Sequence, residues 1–79
     1  MERAEISNRV QKILENTLKH NRFEMRDELT AADVEGWDSL SHVMIITEIE
    51  KEFNVRFKLK ELNKLKNMVT LIELIESKL

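Results

Sequence analysis

Gly36-Trp37-Asp38-Ser39-Leu40-Ser41-His42-Val43-Met44-Ile45-Ile46-Thr47-Glu48-Ile49-Glu50-Lys51-Glu52-Phe53 is the stretch that decides the fold of this chain. Projected at about 100° per residue, Ile45, Ile46, Ile49 and Phe53 fall on one side of a helix running from about Ser39 to Phe53. Leu40, Val43, Met44 and Thr47 gather nearly opposite. One apolar stripe suffices to bury a helix in a small bundle. The second stripe predicts either an exposed patch that a partner covers or a helix packed centrally between two neighbours. So short a chain has few elements to cover both faces, which favours the patch.

Outward from this helix, Ile6, Val10, Ile13, Leu14 and Leu18 recur at helical spacing, with Thr17 filling the stripe, and predict an amphipathic first helix of roughly four turns. Ser7 could cap it, although the apolar pattern begins one residue earlier. The helix should fray near His20-Asn21. Residues 21–37 lack sustained periodicity and form a long loop, a kind of connection that is often functional. Phe23, Met25, Leu29, Val34 and Trp37 are placed to plug that loop onto the helices, and Thr30-Ala31-Ala32-Asp33 suits one short helical turn. Leu59, Leu62 and Leu65 predict a short helix within 58–65. Thr70-Leu71-Ile72-Glu73 matches a capping box, and Val69 with Leu74 matches a hydrophobic staple, so a last helix should follow with Leu71, Leu74, Ile75 and Leu79 as its core stripe. The expected architecture is all-α: three main helices plus one short helix, with no internal repeat or low-complexity segment.

With 79 residues the chain is expected to be one domain spanning 1–79. Folding at this size buries only about 60% of the surface of the unfolded chain, so the core is small. There is no cysteine, hence no disulfide framework and no thiolate metal site. Met1-Glu2-Arg3-Ala4-Glu5 has no signal-peptide pattern, and no apolar run approaches the ~20 residues of a membrane span. A cytoplasmic setting is expected. Thirteen Lys and Arg against fifteen Asp and Glu give a net charge of −2, which offers no general attraction for nucleic acid. Within 38–53, Asp38, Glu48, Glu50 and Glu52 face only Lys51. Within 54–68, Arg56, Lys58, Lys60, Lys64 and Lys66 face only Glu61.

Chemistry points to Ser39. A serine hydroxyl is a weak nucleophile until a base or a metal-bearing partner activates it. At the start of a helix, unpaired backbone N–H groups and the dipole favour an anion such as phosphate. Asp38 can cap the same helix end, or help an external enzyme bring a divalent metal to the phosphate. Ser39 and His42 share a helix face, so a hydrolytic pair is conceivable. The surrounding sequence is not Gly-x-Ser-x-Gly, however, and Asp38 lies on the far side of Ser39 from His42, where it cannot easily orient the imidazole. The chain is therefore not expected to be an enzyme. His42 points toward the core side, and His20 is too isolated to carry a role.

Gly36-Trp37-Asp38-Ser39-Leu40, with His42-Val43 and Glu48-Ile49-Glu50-Lys51-Glu52-Phe53 behind it, resembles the acyl carrier proteins. The likeness continues through Phe57 and Val69-Thr70-Leu71 and covers nearly the whole chain, including the order of its elements. The resemblance implies that Ser39 carries a covalent 4′-phosphopantetheine group, added from coenzyme A by a separate magnesium-using phosphopantetheinyl transferase. The arm's terminal thiol would hold an acyl or aminoacyl group as a thioester for acyl-activating and acyl-transferring enzymes. Asp38 would contact the transferase and its metal. Leu40, Val43, Met44, Thr47 and Lys51 would lie on the helix that partner enzymes recognise, and the carrier would be a monomer.

Several positions depart from the family pattern. Met44 and Lys51 stand where acidic residues are common, Lys58 stands where proline is frequent, and the segment after it is basic. These departures imply a specialised discrete carrier, serving modified lipid, polysaccharide acylation or secondary metabolism, rather than the housekeeping fatty-acid carrier. The basic segment can be a solvated face or a rim tuned to particular partners. Nucleic-acid binding has no aromatic interleaving to support it. Trp37 reads as a packing residue tying the loop to the second helix, or as a contact for the arm or cargo. The alternative to a carrier is an unmodified helical adaptor that binds proteins through Leu40, Val43 and Met44.

Overall fold

The computed structural model describes residues 1–79 and contains four helices and no strand. Helix α1 spans Arg3–Leu18, α2 Ser39–Phe53, α3 Leu59–Leu62 and α4 Met68–Lys78. The expected all-α bundle is therefore the observed one. α1 packs against both α2 and α4. Its core stripe is Ile6, Val10, Ile13 and Leu14, and Ser7 lies inside the helix rather than capping it. Lys19 closes α1 in the left-handed conformation, one residue before the expected fraying point.

α2 buries Ile45, Ile46, Ile49 and Phe53, the four residues predicted from periodicity. Full burial of each such side chain stabilises the fold by about 1.5–3 kcal/mol. At its far end Asn54 takes the left-handed cap, and Glu50 accepts a hydrogen bond from the Phe57 N–H at 2.8 Å, turning the chain toward α3.

The long loop is plugged as expected. Leu29 and Val34 are buried, while Phe23, Met25 and Trp37 pack half-buried against the core. Ala31–Asp33 forms one 3-10 turn, fastened by the Thr30 N–H and hydroxyl on the Asp33 carboxylate. The loop is also fixed by helix ends. The Met68 N–H donates to the Leu29 carbonyl at 2.7 Å and the Val69 N–H to the Asp27 carbonyl at 3.0 Å, so the loop supplies two acceptors that the first turn of α4 needs.

One expectation needs correction. α4 is capped by Asn67, not by Thr70: Asn67 Oδ1 accepts the Thr70 N–H at 3.2 Å, and Thr70 Oγ accepts the Asn67 N–H at 3.1 Å. Thr70 thus fills the third helical position of a reciprocal box usually completed by glutamate or glutamine. Because the helix begins earlier, its buried stripe is Met68, Leu71, Ile72 and Ile75; Leu74 is half-buried and Leu79, beyond the last helical residue, is exposed. The short helix expected within 58–65 is α3; Leu62, and Leu65 just after it, pack against the core, while Leu59 stands in solvent. A four-residue helix completes little more than one turn, so only one of its faces meets the bundle.

Candidate functional site

The approach to α2 turns on Gly36, the only glycine of the chain, at φ +84°. A Cβ there would meet only Leu18 Cδ2 at 3.8 Å, so the backbone angle, not crowding, demands glycine. Asp38 then caps α2. Its Oδ1 accepts the Ser41 N–H at 2.9 Å, while Ser41 Oγ accepts the Asp38 N–H at 2.8 Å and donates to the Gly36 carbonyl at 2.7 Å. The Ser41 N–H, and then its hydroxyl, hold the Asp38 carboxyl below the usual carboxylate range.

This lattice of bonds divides the two serines. Ser41 has its hydroxyl committed on both sides. Ser39, the first residue of the helix, is exposed, and its hydroxyl makes no hydrogen bond within the protein. Its own N–H also lacks a partner, as expected in the first turn. Sequence reading singled out Ser39 but missed the part played by Ser41, because the third position of a capping box is ordinarily searched for Glu or Gln.

Trp37 and His42, on either side of the cap in sequence, pair with each other. The indole N–H donates to His42 Nδ1 at 3.1 Å, and the rings stack at 6.1 Å with 25° between planes. Nδ1 is therefore the acceptor, and in the neutral ring the proton sits on Nε2. Both rings line a cavity of about 70 Å³ together with Leu29, Leu65, Met68 and Leu71. Trp37 thus ties the loop to α2, as its packing role requires. With Nδ1 engaged by Trp37 and the Asp38 carboxylate engaged by Ser41, Asp38, Ser39 and His42 do not form a catalytic triad. His20, which gave no signal in sequence, fastens the other end of the loop: Nδ1 accepts the Arg22 N–H at 3.0 Å and Nε2 lies 2.6 Å from the Glu35 carbonyl.

Neither a scan against protein-family models nor a search of curated proteins gives a significant match to the sequence. Among solved structures, the chain is similar to a holo acyl carrier protein from Geobacter metallireducens, with a TM-score of 0.85 and 32% identity, covering 92% of this chain and 84% of that one. The chain belongs to the acyl carrier protein family. A general carrier role follows from that membership.

On this carrier the second stripe of α2 is open to solvent. Leu40 is 74% exposed, Val43 62% and Met44 50%, and Thr47 is exposed with its hydroxyl donating to the Val43 carbonyl. The carrier's α2 is thus not packed centrally between two neighbours. Val43, Met44 and Thr47 face α1 across an open groove of about 760 Å³ that also includes Lys12, Asn16 and Lys19. Lys51, one turn further, is exposed and pairs with Glu48 at 3.7 Å.

Proposed function

We propose that Ser39 is the attachment point of a 4′-phosphopantetheine arm, and that the whole chain acts as one carrier domain presenting an acyl or aminoacyl thioester to partner enzymes. The observation that carries this reading is the contrast between Ser39 and Ser41: at the head of α2, only the Ser39 hydroxyl is both exposed and uncommitted. The residues present fit the group. A phosphodiester on Ser39 Oγ would sit at the end of α2 where backbone N–H groups and the dipole favour negative charge. The arm itself supplies the thiol, which this cysteine-free chain does not. The solved neighbour is described as holo, which supports the same assignment.

Asp38, whose carboxylate the Ser41 bonds keep ionised, would receive the transferase and its magnesium. Leu40, Val43, Met44, Thr47 and Lys51 would be the face that partner enzymes read; Met44 and Lys51 favour a specialised pathway over general fatty-acid synthesis, and the proposed setting is the cytoplasm. The test is direct. The chain incubated with coenzyme A, magnesium and a broad-specificity phosphopantetheinyl transferase should gain one phosphopantetheine by intact mass, and Ser39→Ala should gain none. No addition with several transferases would leave the unmodified adaptor as the better account.

A further inference from the structure

The segment 56–66 carries five exposed cations, Arg56, Lys58, Lys60, Lys64 and Lys66, and none of them forms an ion pair. Outside the segment, six of the eight Lys and Arg side chains meet a carboxylate, Lys12 and Lys19 being the two that do not. Arg3, Arg9, Arg22 and Arg26 each meet a carboxylate, so Arg56 is the one arginine left without a partner. The carboxylate of the single acid of the segment is already committed. Glu61 Oε2 pairs with Lys78 of α4 at 2.7 Å, and Oε1 accepts the Lys58 N–H at 2.8 Å. Between Lys58 and Lys60 stands Leu59, 74% exposed. An exposed apolar side chain flanked in sequence by unmatched positive charge has the composition of an interface anchor with a charged rim.

We propose that segment 56–66, centred on Leu59, docks an acidic face of a partner protein. Its neighbours select a protein over other polyanions. Arg56 shares a surface depression with Thr47, Glu50 and Lys51, so the segment abuts the acidic end of α2. A bilayer of anionic lipid or a nucleic-acid backbone presents negative charge uniformly and is repelled by Glu50 beside Arg56. A folded partner can match a mosaic of both signs. α3 is also too short to lie along a membrane as an amphipathic helix. No aromatic side chain is exposed in the segment to stack on bases, since Phe57 packs against the core. The proposal does not depend on any arm on Ser39.

The experiment places a photo-crosslinking benzoylphenylalanine at Leu59 of the full chain in its native cells, maps the captured peptides, and titrates the captured protein against purified chains on a Ser39→Ala background. That background makes the result independent of phosphopantetheine: a failure here leaves the Ser39 assignment standing, and the reverse. The account expects crosslinks to an Asp- and Glu-rich patch. It also expects affinity weakened about tenfold or more by Lys58→Glu/Lys60→Glu, because like charges facing each other disfavour the complex. Reversing acids of the mapped patch to Lys should recover binding. A separate Leu59→Ser variant tests the anchor without altering charge. Absence of protein crosslinks, a mapped patch without acids, or affinity indifferent to the charge reversal would overturn the proposal. So would equal, charge-dependent binding to phosphatidylglycerol vesicles or duplex DNA.

Discussion

Ser39 and Ser41 are two residues apart and chemically identical, yet their surroundings give them opposite duties. Ser41 closes the cap with Asp38 and reaches back to the Gly36 carbonyl, so its hydroxyl is structural. Ser39 is left free at the helix head. The cap has a pH signature. Because hydrogen bonds from Ser41 lower the folded-state pKa of Asp38, its contribution is complete above the unfolded value of about 3.9 and is lost as pH falls through the lower folded value. Asp38→Asn keeps an acceptor and removes this titration. Its melting temperature should therefore fall less steeply than that of the parent chain as pH drops below 4, by thermal denaturation monitored by circular dichroism. Gly36→Ala should lower stability by about 1–2 kcal/mol, because φ at this position is left-handed and no crowding offsets or adds to that strain.

At the scale of the element, α2 is a helix with two apolar faces and two fates. Ile49→Ala, fully buried, should destabilise the fold by about 2–5 kcal/mol in urea titration, whereas Met44→Glu should stay within about 0.5 kcal/mol. Unfolding by Met44→Glu would mean that the outer stripe is core. Both stripes were legible in the sequence because a fifteen-residue helix repeats its pattern over four turns. α4 was legible as an element but not in its start. Asn67 and Thr70 are both capping residues, and the sequence pattern favoured Thr70 with Glu73 while the structure pairs Asn67 with Thr70. Asn67→Ala should accordingly lower stability by about 1 kcal/mol. Leu59 escaped prediction because one turn of helix has no periodicity to distinguish an inward leucine from an outward one. The loop's anchorage through Leu29 and Asp27 carbonyls was invisible for a different reason: backbone acceptors have no residue code.

The whole molecule divides its labour by surface. The core is wholly apolar, with no buried polar side chain, and holds the helices in place. Outside it, Arg9 bridges α1 to Glu52 of α2 and Lys78 bridges α4 to Glu61 of α3. The capped head of α2 offers one free serine, the outer stripe of α2 offers an apolar face, and the segment behind it offers unmatched positive charge. Each surface gives a partner a different handle on the same small bundle. The central claim is that this arrangement exists to carry a group on Ser39. The measurement that tests it most directly is the mass of the chain isolated from its own cells, followed by peptide fragmentation to locate any addition. The account predicts 4′-phosphopantetheine, with or without a thioester cargo, on Ser39 alone. A chain recovered unmodified, or modified on Ser41 in place of Ser39, would contradict it.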